Sequence, residues 1–74
     1  MFTVQIFEKS SGKPIKGKKV GVIFNGLMRG CAKDQYTDSN GEAHFSEDNG
    51  NGTIYVGGNK VYEGRIEGRK IIYL

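Results

Sequence analysis

Apolar and polar residues alternate in short runs along this chain. Phe2, Val4 and Ile6 are separated by Thr3 and Gln5. Val20, Val22 and Phe24 share one face of a second run, and Ala43 and Phe45 alternate with Glu42, His44 and Ser46. A period of two places every second side chain on the same side of an extended backbone, the mark of a half-buried strand. The pattern predicts strands at 2–8, 18–24, 27–36, 42–46, 53–57, 60–66 and 70–74. It predicts a core of Phe2, Val4, Ile6, Val20, Val22, Phe24, Ala43, Phe45, Ile54, Val56 and Ile72.

Turn chemistry separates these runs. Ser10-Ser11-Gly12-Lys13-Pro14 combines glycine with a proline that presets φ near about −65°. Asn25-Gly26 is a hairpin signal, because a type I′ turn needs positive φ at both central positions. Asp38-Ser39-Asn40-Gly41, the polar stretch 47–52, Gly58-Asn59 and Glu67-Gly68-Arg69 supply the other reversals. No window shows a 3.6-residue period. The 12 glycines each cost a helix roughly 1 kcal/mol against alanine. Seven short strands at regular spacing indicate an all-β fold, a seven-stranded antiparallel β-sandwich.

Length bounds what such a fold can hold. The 74 residues make one domain, 1–74. A domain of this size buries only about 60% of the surface its unfolded chain exposes, so the core is thin. One cysteine, Cys31, excludes an internal disulfide. Residues 1–7 lack a basic segment followed by an apolar run, so no signal peptide is expected. No run approaches the roughly 18 apolar residues of a membrane span. The expected location is the cytoplasm, or a domain excised from a longer exported protein.

Charge is unevenly spread. Residues 1–33 carry seven Lys/Arg and one Glu, residues 34–49 carry five Asp/Glu and no Lys/Arg, and the whole chain is +3. Such segregation can steer a partner or bring residues 13–19 of one chain near 34–48 of another, in a contact weakened by salt. The bland alternative is a solvated surface on which the two segments neutralise each other.

Catalytic chemistry finds little support. A nucleophile needs a base within reach. His44 falls on the outward face of its strand and Cys31 reads as a small buried residue. A zinc site needs about four Cys, His or acidic ligands at workable spacing, which the chain lacks. The polar turns at 38–42 and 47–51 offer oxygen atoms but fit no twelve-residue calcium loop. The expectation is therefore no enzyme, no cofactor and no metal. Lys13, Lys16, Lys18 and Lys19 could contact phosphates, and the four tyrosines could stack bases. However, the net charge is small and no nucleic-acid signature is present.

The segments Gly12-Lys13-Pro14-Ile15-Lys16-Gly17-Lys18-Lys19-Val20-Gly21-Val22 and Thr37-Asp38-Ser39-Asn40-Gly41-Glu42-Ala43-His44-Phe45 resemble the carboxypeptidase-regulatory-like group. That group belongs to the wider transthyretin-like and Cna-B-type β-sandwich superfamily. A Gly-x-Pro-x-x-Gly turn enters its second strand and a Thr-Asp-x-x-Gly turn enters its fourth. The resemblance covers about 60 residues. It implies a transthyretin-like sandwich and says little of function. Cna-B-type modules can form an internal Lys–Asn isopeptide bond. Here the first strand offers only Lys9 at its polar end and the last strand has no Asn, so none is expected.

The expected role is a non-catalytic binding or structural module that contacts a protein partner or a second copy of itself. The candidate contact residues are Lys13, Lys16, Lys18, Lys19, Arg29 and Tyr36. A carbohydrate-binding module is the alternative, and a small basic nucleic-acid binder ranks third. The run 70–74, apolar on both faces, is expected to be central in a sheet or covered by a partner.

Overall fold

The structure, a computed structural model, describes residues 1–25, 30 and 32–74. It is all-β, with two sheets and no helix among the described residues. The strands are β1 (Phe2–Phe7), β2 (Lys19–Phe24), β3 (Gln35–Tyr36), β4 (Glu42–Phe45), β5 (Gly50–Val56), β6 (Asn59–Ile66) and β7 (Gly68–Tyr73). One sheet has the order β4-β1-β7 and the other β3-β2-β5-β6.

The two sheets share one core because alternation points the same residue set inward from each. Phe2, Val4, Ile6, Ala43, Phe45 and Ile72 come from the first sheet, and Val20, Val22, Phe24, Ile54, Val56 and Ile66 from the second. Every residue of the expected core is buried; Ile66 and Ala32 join it in addition. Phe2 stacks on its register partner Phe45 at 4.9 Å and meets Phe24 of the other sheet edge-on at 5.9 Å. Aromatic pairs in these geometries add to what area burial alone contributes.

The expectation of an antiparallel sandwich is corrected in one sheet. β1 pairs antiparallel with β4 but parallel with β7, from Phe2 beside Gly68 to Phe7 beside Tyr73. A parallel pair needs a long crossover rather than a hairpin, and here all the intervening strands supply it. The chain leaves the second sheet at Ile66, turns at Glu67 and enters β7 at Gly68. Of the two expectations for 70–74, central in a sheet or covered by a partner, the first does not hold, since β7 borders its sheet.

Part of the expected third strand, 27–29 and 31, lies outside the described residues. Among the described residues, Gln35 and Tyr36 form the ladder with β2. Gly30 and Ala32 instead lie alongside β2 through single bonds, from the Phe24 N–H to the Gly30 carbonyl and from the Ala32 N–H to the Val22 carbonyl. Gly26, Leu27, Met28, Arg29 and Cys31 lie outside the described residues, and with them part of the expected 25–26 hairpin and the expected burial of Cys31.

The β5–β6 turn falls at Gly57-Gly58, one residue before the expected Gly58-Asn59. Both glycines have positive φ, 58° and 86°, as a two-residue type I′ loop requires. A register shift follows. Ile54 faces Tyr62 while Tyr55 faces Lys60, which leaves Val61 as the extra residue of a bulge.

Thr37 is the buried polar residue of the core region. Its hydroxyl donates to the Ile15 carbonyl at 2.7 Å and accepts from the Lys18 N–H at 2.9 Å. Its own N–H and carbonyl bond Lys18 and Gly17. Thr37 thus latches the β1–β2 connection to the end of β3.

Candidate functional site

Two outward faces and one free edge carry the chemistry of this protein. On the four-stranded sheet, Lys19 and Tyr36 are register partners. Both are exposed, Tyr36 at 65%. Beside them lies a shallow cleft of about 240 Å³ lined by Lys19, Gly21, Ile23, Asp34 and Tyr55. It exists because Gly21 has no side chain. A Cβ there would lie 2.9 Å from the Asp34 carboxylate.

The candidate contact residues fall into two groups. Lys18, Lys19 and Tyr36 come together, since the Thr37 N–H bonds the Lys18 carbonyl and Lys19 faces Tyr36. Lys13 sits apart, near the end of β1, its carbonyl accepting from Glu8. Lys16 follows on the connection between the sheets, and Arg29 lies outside the described residues. The basic segment therefore runs beside the start of the acidic one within a single chain. This gives an intramolecular competitor to the salt-weakened contact expected between chains.

The outer face of the three-stranded sheet is more organised. Strand alternation puts Thr3, Gln5 and Phe7 of β1 on this face, with Glu42 and His44 of β4 and Arg69, Ile71 and Tyr73 of β7. Arg69 donates to Gln5 Oε1 at 3.0 Å and to Glu42 Oε2 at 2.5 Å, spanning all three strands. His44 Nδ1 hydrogen-bonds the Thr3 hydroxyl at 3.0 Å. Its Nε2 lies 3.4 Å from Glu42 Oε1 and 3.8 Å from Asp38 Oδ2. Past this polar network the face turns apolar, with Phe7 stacked on Tyr73 at 5.7 Å.

Asp38 is held by the turn it begins. Its Oδ1 accepts from the Asn40 and Glu42 N–H groups at 2.9 and 3.0 Å. The Glu42 amide is the main cause of a carboxyl pKa below its usual 3.8. Desolvation opposes the shift, and the Asn40 amide and the nearby His44 reinforce it. Because the folded value is the lower one, the stabilisation is present above the unfolded pKa and is lost as pH falls through the folded pKa. Denaturant midpoints taken between about pH 5 and pH 2 should fall with acid, and Asp38→Asn should flatten part of that slope.

The free edge is the outer side of β7. Its inner side pairs with β1, and Leu74 extends that pairing by donating to the Phe7 carbonyl and accepting from the Lys9 N–H. Ile71, Tyr73 and Leu74 are 48%, 59% and 41% exposed. Lys70 points the other way and lies 4.4 Å over the Tyr62 ring, which ties β7 to the opposite sheet.

Reading by residue type alone missed the meeting of Asp38, Glu42 and His44. Glu42 and His44 share a strand face by their spacing, but Asp38 joins them only through the curl of its turn. No helix among the described residues is long and apolar enough to cross a membrane. No family model, curated protein or solved structure matches the chain.

Proposed function

We propose that this chain is a non-catalytic contact module of transthyretin-like architecture that pairs with a second copy of itself through the edge of β7. The architecture is supported by the two sheets of three and four strands and by the Asp38–Gly41 turn, which is formed where the family pattern has one. The self-pairing rests on one observation: β7 borders its sheet, and Ile71 and Tyr73 of β7 with Leu74 just after it stand in water. An edge strand exposes backbone N–H and C=O groups that template another strand.

The sequence of β7 suits an antiparallel two-fold pairing centred on Ile71. Ile71 would face its own copy, and Arg69 would face Tyr73 of the second chain. Like charges would not stand opposite each other, which is the arrangement strand pairs favour. The product is one sheet of six strands, β4-β1-β7 continued by its copy.

Sedimentation equilibrium at about 100 µM should find a dimer that persists at about 1 M salt, because main-chain bonds and apolar contacts escape the screening that weakens exposed charge pairs. Ile71→Lys should give the 8.2 kDa monomer. A monomer for the unmodified protein at both salt concentrations would sink the pairing. Association lost at high salt would favour the contact between 13–19 and 34–48 instead.

A second reading has its own observation. Tyr55 lines a cleft that also offers Lys19 and Asp34, and Tyr36 is the register partner of Lys19, a mix of aromatic and charged groups that suits a sugar. A glycan screen, with Tyr36→Ala as control, separates it from the protein-contact reading.

A further inference from the structure

We propose that Asp38, Glu42 and His44 form a binding site for a divalent transition cation of the zinc class. One ligand atom from each residue lies within 4.8 Å of the other two. A tetrahedral ion with bonds of about 2.1 Å sets its ligands about 3.4 Å apart. His44 Nε2 and Glu42 Oε1 already stand at 3.4 Å, and His44 Nε2 and Asp38 Oδ2 at 3.8 Å. Small side-chain rotations close the remainder, and water completes the coordination.

Each ligand has its other polar atom occupied by a group other than the three ligand side chains. Thr3 takes His44 Nδ1, so Nε2 is the ring nitrogen left facing the carboxylates. Arg69 takes Glu42 Oε2 and leaves Oε1. Backbone amides take Asp38 Oδ1 and leave Oδ2. Partners of this kind orient metal ligands and contribute to affinity.

The donor set selects the ion. An imidazole nitrogen with two carboxylates suits Zn²⁺, Ni²⁺ or Cu²⁺ better than Mg²⁺ or Ca²⁺, which prefer oxygen alone. The Arg69 charge offsets one carboxylate, which weakens the pull of the site on a cation. The three ligands lie on β4 and the turn before it, at the opposite border of the sheet from β7, and Arg69 is the link between Glu42 and that strand.

Zinc chloride titrated calorimetrically into the full chain at about pH 7 should give one saturable site per chain. His44→Gln and Asp38→Asn should each weaken it about tenfold or more, and Thr3→Val by less. Cys31→Ser, which removes the one thiol, should leave it unchanged. Zinc should shift the ring proton signals of the sole histidine and the amides of residues 38–44. That second measurement needs no variant. No saturable binding up to about 1 mM, equal affinity in His44→Gln, binding lost in Cys31→Ser, or an unshifted His44 ring would each overturn the proposal.

Discussion

Phe45→Ala should leave the protein unfolded at room temperature. Phe45 is buried, stacks on Phe2 across the β1–β4 ladder and shares the core with Phe24. Removing a buried phenylalanine ring costs about 3–5 kcal/mol, the sum of lost transfer energy and the cavity left behind. A single core of this size supplies roughly 3–5 kcal/mol in total, so little or nothing remains. Phe45→Leu keeps most of the volume and should cost less than about 2 kcal/mol. It should therefore still fold. A dispersed amide NMR spectrum for Phe45→Ala would mean that the Phe2–Phe45 stack is not central to the core.

Gly41→Ala should be the most damaging change of its size, costing about 2–4 kcal/mol. Two causes add. Gly41 has φ +76°, where an L side chain is strained. A Cβ there would also stand 2.4 Å from the Ile6 carbonyl oxygen and 3.1 Å from the Pro14 Cβ. That carbonyl accepts from the Ile15 N–H, and the Ile6 N–H donates to Gly41 itself. The clash therefore falls on the junction of β1, the β1–β2 connection and the Asp38 turn. Gly57→Ala isolates the first cause, since Gly57 has φ +58° and open space around it. The gap between the two denaturant midpoints measures the second. Equal midpoints would show that the junction yields freely.

The inward faces were legible in the sequence because strand alternation needs only neighbours. Phe2, Val4 and Ile6 declare a face without reference to the rest of the fold, as do Val20, Val22 and Phe24. Ile66 escaped because the bulge at Val61 resets the alternation of β6, so counting from its start does not reach it. Ala32 escaped because it lies outside any ladder and is held by one bond to Val22. The direction of β7 was not legible, since it depends on which sheet the chain enters after Glu67. On the surface, residue type alone marks both Lys19 and Tyr36 as contact candidates. That they face each other depends on the β2–β3 register. The Asp38–Glu42–His44 cluster was hidden for the same reason: a turn, not a spacing, brings the third member in.

The parallel pairing of the first strand with the last bears on how the chain folds. The β5–β6 hairpin joins near neighbours and can form within roughly microseconds. The β1–β7 ladder links residues separated by nearly the whole chain, so its closure entropy must be met before any of its bonds stabilise it. High contact order of this kind goes with folding in roughly milliseconds to seconds. During synthesis β1 emerges first and β7 last. Until β7 arrives, one side of β1 stays open, and the apolar row of Val4 and Ile6 lacks the strand that completes its sheet. The slow step of assembly and the exposed border of the finished sheet are thus the same strand, met once from within the chain and once from outside.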